Sequence, residues 1–176
     1  ILISANLSPV SLSDTTLADR VTQVVRDAGV DPHHIILEIT ESAAMTDVAP
    51  ALENLARLRM RGFGLSIADY GTGNASMQQL TRIAFSELKI DQSFVKAFTT
   101  NPALRIIVES SIKMAHELRL KSVAEGVETQ EDWTTLKSMG CDMAQGHLIS
   151  RPLEFKAFHD FLVNYNCEAA ALDSRK

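Results

Sequence analysis

The chain is poor in the features that mark several specialised classes of protein. It has two cysteines in 176 residues, Cys141 and Cys167, and their separation does not match a zinc site. No apolar run approaches the roughly 20 residues that a membrane-spanning helix needs, and no signal peptide opens the sequence. We therefore expect two reduced thiols, a cytoplasmic location and no membrane contact from this chain. A parent protein anchored in a membrane through an upstream segment is compatible with this expectation.

Positive charge is also scarce. Seventeen lysines and arginines against 22 acidic residues give a net charge of −5. A nucleic-acid surface usually carries a basic stripe, so we expect no nucleic acid polymer as a partner. Because bare carboxylates repel phosphate, a phosphate-containing ligand would favour a bound metal ion. Hydrophobic residues make up 45% of the chain, enough for the core of one compact domain.

Short apolar runs alternate with stretches of helical periodicity, a pattern typical of βα units. The predicted strands are 1–7, 35–40, 63–68, 86–90, 120–125 and 143–148. The predicted helices run from Ser13 or Asp14 to Ala28, from Asp47 to Gly62, and over 77–81, 102–118, 130–139 and 154–164. Asn101 is predicted to cap the fourth helix, with Pro102 in its first turn. We expect a frayed tail from Glu168 onward.

Six βα units suit either an open doubly wound sheet or most of an eight-stranded barrel. The open sheet would need a glycine-rich phosphate loop after its first strand, and Asn6-Leu7-Ser8-Pro9 is not one. The chain begins in mid-strand, so we favour an α/β, TIM-like (β/α)8 barrel whose first strands and helix are missing from this chain. No linker divides the sequence, which predicts one partial domain over residues 1–165 and a C-terminal tail over 166–176.

Polar side chains stand at or just after the ends of all six predicted strands. They are Asn6, Glu38, Asp69, Lys89, Glu125 and Gln145. Since parallel strands present their carboxyl ends at one edge, we expect these six side chains in one cleft. Each also has an ordinary interpretation: a turn residue, a solvated strand end, a structural salt bridge or a buried amide.

Six motifs follow one another in order between residues 6 and 152. They are Asn6-Leu7-Ser8, Glu38-Ile39-Thr40-Glu41, Ile67-Ala68-Asp69-Tyr70-Gly71-Thr72-Gly73, Leu88-Lys89-Ile90-Asp91, Ala124-Glu125-Gly126-Val127-Glu128-Thr129, and Gln145-Gly146 with Ser150-Arg151-Pro152. Together they make the chain resemble the EAL domain family of bacterial cyclic di-GMP phosphodiesterases. The resemblance implies a barrel fold and the hydrolysis of cyclic di-GMP to linear pGpG with two Mg²⁺ or Mn²⁺ ions.

The resemblance also implies roles for the matching residues. Glu125 is implied as the general base, and Lys89 as the cation that balances the phosphate or holds the attacking water. The implied metal ligands are Asn6, Glu38 and Asp69; the implied substrate contacts are Gln145 and Arg151; the implied supporting residues are Glu41, Asp91 and Glu128. Glu41 is expected to anchor the loop over residues 69–76. A homodimer and an upstream regulatory domain in the parent protein are expected as partners.

Two departures from the family pattern bear on activity. The glutamate of the Glu-Ala-Leu signature is expected before residue 1, and Ala68 replaces the first of two adjacent aspartates. An alanine offers no oxygen to a metal, so we expect a phosphodiesterase domain that is impaired or inactive in this chain. The alternative is a degenerate EAL module that binds cyclic di-GMP or a protein partner without hydrolysis. An unrelated α/β barrel enzyme is a third interpretation.

Overall fold

The computed structural model describes residues 1–44, 49–72 and 83–173, and the side chains of all of these except 44 and 166–173. The strands are β1 (Ile3–Asn6), β2 (Ile35–Thr40), β3 (Gly64–Tyr70), β4 (Glu87–Ile90), β5 (Lys121–Glu125) and β6 (Met143–Gln145). The helices are α1 (Pro9–Leu12), α2 (Leu17–Asp27), α3 (Glu41–Ala44), α4 (Ala49–Met60), α5 (Gln92–Val95), α6 (Pro102–Glu117), α7 (Gln130–Ser138) and α8 (Phe155–Asp173). A 3₁₀ turn at Pro32–His34 precedes β2.

The six strands form one parallel sheet in the order β1-β2-β3-β4-β5-β6. Each strand pairs with the next one along the chain. Helices connect the strands on either side of the β3–β4 connection, most of which, residues 73–82, lies outside the described part of the chain. In the described part of the chain, β1 and β6 do not pair with each other, so the sheet is open. The architecture is a partial TIM-like (β/α) barrel, which confirms the predicted fold class.

The hydrophobic core lies between one face of the sheet and the helices. Alternate strand residues such as Ile39, Ile67 and Leu88 are fully buried there, and helical residues such as Leu58 and Ile112 pack against them. Because side chains alternate across a strand, the intervening residues point to the opposite, concave face. That face carries buried polar residues, namely Glu38, Ser66, Glu87 and Lys89.

Side-chain caps account for several helix starts. The Asn101 carboxamide oxygen accepts hydrogen bonds from the Ala103 and Leu104 amides at 3.0 and 3.4 Å, which confirms the predicted start of α6. The predicted start of the first long helix at Ser13 or Asp14 is wrong. Ser8 instead caps the separate short helix α1, and the Asp14 carboxylate accepts from the Thr16 amide at 2.9 Å, before α2 begins at Leu17.

The other differences from prediction lie at element ends. Strand β6 stops at Gln145 because the chain beyond it bonds Val127, whose carbonyl accepts from the Leu148 amide at 3.1 Å. Helix α8 continues past the predicted end at 164 to Asp173. The predicted helix over 77–81 and the predicted helix start at Asp47 lie outside the described residues. Cys141 is a free, buried thiol, as expected. None of the described helices combines the length and apolar composition needed to cross a bilayer.

Candidate active site

The centre of the site is a buried lysine held between two carboxylates. Lys89 Nζ lies 2.7 Å from Glu38 Oε1 and 2.7 Å from Glu125 Oε1. Its side chain is 4% exposed. The three residues come from β4, β2 and β5, so three separate strands deliver one charged cluster to the concave face.

Burial and ion pairing act in opposite directions on the pKa of Lys89. Burial by itself disfavours the ammonium and would lower the pKa of Lys89. Hydrogen bonds to Glu125 and Glu38, together with their negative charges, outweigh burial and hold this pKa above its ordinary value. The lysine is therefore a permanent cation at neutral pH, and its charge is shared by two carboxylates.

A second cluster joins three carboxylates. Oxygens of Asp69, Asp91 and Glu125 all lie within 4.8 Å of one another, and all three residues are half-buried. Carboxylates this close repel one another unless a cation or a proton lies between them. Carboxylate oxygens are the ligands that Mg²⁺ and related hard cations prefer. The residues present therefore fit a divalent metal ion.

Local structure explains how each of these carboxylates reaches the cluster. Asp69 has φ of 57°, a left-handed conformation that aspartate tolerates better than most residues. It lies where the β3–β4 register shifts, between Ile67 and Tyr70. Asp91 directly follows β4 and caps α5, where its Oδ1 accepts from the Ser93 amide at 2.8 Å. Glu125 is the last residue of β5.

The loop after β3 is held by a buried glutamate. Glu41 is 2% exposed, and its Oε2 accepts a hydrogen bond from the Gly71 amide at 2.8 Å. This contact is the one expected of Glu41, at the start of the 69–76 loop, of which residues 73–76 lie outside the described part. Ala68, immediately before Asp69, is buried and pairs with Thr40 of β2. Its methyl group supplies no metal ligand at this edge.

The remaining predicted site residues lie around these two clusters. Asn6 pairs with Glu38 across β1 and β2, and Gln145 pairs with Glu125 across β5 and β6. Both are exposed, as is Arg151. The register thus places the six predicted strand-end residues along one edge of the sheet. The two clusters link Glu38, Lys89, Glu125 and Asp69. Only the strand register places Asn6 and Gln145 beside them.

A cavity of about 490 Å³ opens beside Glu125. Its walls come from the segments after β4, β5 and β6 and from α8, and they include Gln145, Arg151, Glu128, Lys96 and two phenylalanines, Phe158 and Phe161. A cavity of this size with a few converging polar groups suits a nucleotide-sized ligand.

Lys96 was not predicted as a site residue. No signal in the sequence pointed to it, because neither the short helix α5 nor Gln92 beside the cavity was predicted.

A buried carboxylic acid lies deeper on the same face. Glu87 is 5% exposed and is two residues before Lys89 on β4. Its burial raises the pKa of this carboxyl group, and the nearby negative charge of Glu38 acts in the same direction. The positive charge of Lys89 opposes both effects but does not cancel them. Glu87 therefore holds a proton more readily than an exposed glutamate does.

Comparison with known proteins gives a consistent result. The family model described as the EAL domain matches residues 1–152. The cyclic di-GMP phosphodiesterase RocR of Pseudomonas aeruginosa is 34% identical over 159 residues, which is 90% of this chain and 41% of RocR. The chain thus spans less than half the length of this curated relative.

Two solved structures show the same likeness in three dimensions. The phosphodiesterase MucR of Pseudomonas aeruginosa, in complex with cyclic di-GMP, superposes with a TM-score of 0.85 at 38% identity, over 89% of this chain and 64% of that one. BlrP1 of Klebsiella pneumoniae, in complex with manganese and cyclic di-GMP, gives 0.80 at 32% identity, over 86% of this chain and 39% of that one.

Proposed function

Because the chain belongs to the EAL domain family, we propose that it is a cyclic di-GMP phosphodiesterase domain that hydrolyses one phosphodiester bond to give linear pGpG. The observation that carries the proposal is the pair of linked clusters. A buried Lys89 bridges Glu38 and Glu125, and Glu125 also meets Asp69 and Asp91. The names of RocR and of the MucR complex support the choice of substrate.

The proposed metal ligands are Asp69 and Asp91, with Asn6 and Glu38 as further candidates at the same edge, while Glu125 lies beside them as the base. The manganese and calcium complexes of BlrP1 support a divalent ion; our choice is Mg²⁺ or Mn²⁺. When bound, the ion would supply charge stabilisation at the phosphate and acidify a water molecule.

The chain's own residues have distinct roles in this mechanism. Glu125 takes a proton from the attacking water, for which it must lie within hydrogen-bond reach of that water. Lys89 orients Glu125 and Glu38 through its two short contacts and balances their charge. Gln145 and Arg151 contact the substrate in the cavity, while Glu41 and Glu128 support the surrounding loops. Asp91 also fixes the start of α5.

Ala68 sets the expected level of activity. It removes one carboxylate that the family pattern has beside Asp69, so this domain is impaired as a hydrolase. The second candidate function is a module that binds cyclic di-GMP or a protein partner without turnover, and Ala68 is the observation that favours it. Because the chain spans 41% of RocR, the proposal includes an upstream regulatory domain in the parent protein. It also includes a homodimeric assembly, which the family resemblance implies.

Product chromatography with cyclic di-GMP and Mn²⁺ tests the function. We expect slow hydrolysis by the chain as it stands. Ala68→Asp, in a chain extended at its N terminus by a Glu-Ala-Leu segment, should raise the rate by about two orders of magnitude or more, since metal-assisted charge stabilisation contributes several kcal/mol. Adding Glu125→Gln should then remove most of the gain while calorimetry still detects nucleotide binding.

The other outcomes separate the two candidates. If the restored chain binds cyclic di-GMP but does not hydrolyse it, the binding module is the correct function. Fast hydrolysis by the unaltered chain would contradict the consequence drawn from Ala68. Hydrolysis that survives Glu125→Gln would remove Glu125 from the role of base.

A further inference from the structure

The positive charge of the buried Lys89 is already balanced by the two carboxylates that it contacts. Lys89 has both carboxylate contacts at 2.7 Å and almost no exposed surface. A ligand with more than one phosphate therefore needs another cation on the accessible side of the cavity. Of the described residues that line the cavity, the ones with basic side chains are Lys96, His147 and Arg151.

Lys96 is placed by the helix that follows the site motif. It is the C-cap residue of α5, and its amide donates to the Gln92 carbonyl at 2.9 Å. The N-cap of the same short helix is Asp91, a member of the carboxylate cluster. One helical turn therefore carries a metal-site carboxylate at its start and a cavity cation at its end. The two groups are fixed relative to each other by local backbone hydrogen bonds.

The ion pair of Lys96 leaves its ammonium available. Lys96 Nζ lies 3.5 Å from Glu128 Oε1, and the two side chains are 51% and 50% exposed. That separation is longer than a normal hydrogen bond, and exposed ion pairs contribute little to stability. A phosphodiester oxygen carries a charge similar to that of a carboxylate oxygen, and at a normal hydrogen-bond distance from the Lys96 ammonium it can replace the glutamate at little cost.

We propose that Lys96, together with Arg151, forms an anion-binding wall that holds the second phosphate of the substrate, the one that is not cleaved. The proposal rests on the function proposed above. A cyclic dinucleotide has two phosphodiester groups. The cavity region offers two different binding sites for them, the carboxylate cluster and the basic residues Lys96 and Arg151. The carboxylate cluster, with its cation, would take the phosphate that reacts, and the Lys96–Arg151 wall would take the other. Lys96 is thus a substrate-binding residue that favours ligands with two phosphates.

Calorimetric titration of the full chain with cyclic di-GMP in the presence of Mn²⁺ tests the proposal. Lys96→Met should weaken binding roughly tenfold, because a hydrogen bond to a charged group is lost at a partly exposed site. Lys96→Arg should bind within about twofold of the wild type, since the guanidinium also pairs with phosphate. The control is Lys113→Met, which removes the same charge from an exposed position on α6, outside the cavity lining.

Two further measurements separate substrate binding from a structural role. The melting temperature and the Mn²⁺ affinity without nucleotide should be the same for Lys96→Met and the wild type. The opposite result is a lower melting temperature or weaker Mn²⁺ binding for Lys96→Met, with a proportional loss of nucleotide binding. That result would show that Lys96 only holds Glu128 in place, and it would overturn the proposal. Equal cyclic di-GMP affinities for Lys96→Met and Lys113→Met would also overturn it, while leaving the proposed function intact. A wild-type chain that binds Mn²⁺ but no cyclic di-GMP would contradict both the Lys96 proposal and the proposed function.

Discussion

Lys89 shows at the scale of one residue how a strand can carry a charge into a protein interior. A buried ammonium is costly by itself, and a buried ion pair is not in general a source of stability. Here two carboxylates flank it at 2.7 Å, one from the adjacent strand β5 and one from β2, which lies two strands away. The arrangement makes each of the three charges depend on the other two, so removing the central one leaves two like charges with little solvent around them.

We expect Lys89→Met to lower the free energy of unfolding by about 3 kcal/mol at neutral pH, because it leaves Glu38 and Glu125 unpaired. Denaturant unfolding monitored by circular dichroism measures the change, with the exposed Lys113→Met as the control. A loss below about 1 kcal/mol would show that the carboxylates find other partners or take up a proton.

The raised pKa of Lys89 also predicts a pH dependence. The folded state holds this proton more tightly than the unfolded state, so the stabilisation is fully present below the unfolded pKa of 10.5 and is lost as pH rises through the folded value. The wild type should therefore lose stability more steeply above pH 10.5 than Lys89→Met does.

At the scale of elements, the end of the sheet depends on a close backbone contact. The Val127 amide donates to the Gln145 carbonyl, and the Leu148 amide donates to the Val127 carbonyl, both at 3.1 Å. Gly146 lies between these two bonds, where a Cβ would overlap the backbone of Val127. A glycine at this point lets the segment after β6 pack against the segment after β5, and both segments line the cavity.

We expect Gly146→Ala to destabilise the fold by about 3 kcal/mol, because overlap with backbone atoms cannot be relieved by a side-chain rotation. The matched control is Gly29→Ala. Gly29 has φ of +67° but nothing within 4 Å of the added Cβ, so only the left-handed conformation costs energy, about 1 kcal/mol. Equal losses in thermal unfolding of the two variants would mean that backbone conformation, rather than close packing, decides the Gly146 position.

At the scale of the whole molecule, the sheet has two edges. Within the described chain, β1 pairs only with β2 and β6 only with β5. All four residues of β1 are exposed, including Ile3 at 54%. Unpaired strand edges with apolar side chains favour pairing with another chain, so the β1 edge is a candidate site of self-association.

We expect the chain to self-associate, and we expect Ile3→Lys to weaken that association, because a charge on an edge strand opposes strand pairing. Sedimentation velocity over a range of concentrations measures it. Val10→Lys is the control, since Val10 is 83% exposed on α1, away from the sheet. A wild-type chain that stays monomeric throughout, or a Val10→Lys variant that dissociates as readily, would contradict an interface at this edge.

Much of the fold could be predicted from the sequence because its signals are local. Strand and helix order follow from apolar periodicity, and the start of α6 follows from Asn101-Pro102, since a cap and its helix are adjacent in the chain. The start of α2 was placed wrongly at Ser13 or Asp14, because both are capable caps. The helix begins at Leu17 after Thr16, which makes no side-chain cap hydrogen bond, and Leu17 is buried in the core.

The sequence by itself determined that polar residues follow each strand, and hence that one edge of a parallel sheet carries a set of polar side chains. Only the tertiary structure decided which of them meet. Asp91, predicted to support the site, lies with Asp69 and Glu125, and Lys96 meets Glu128 although 32 positions separate them. Such contacts depend on the curvature of the sheet and on the register shift beside Asp69, which arise from packing across the whole sheet rather than from any short stretch of residues.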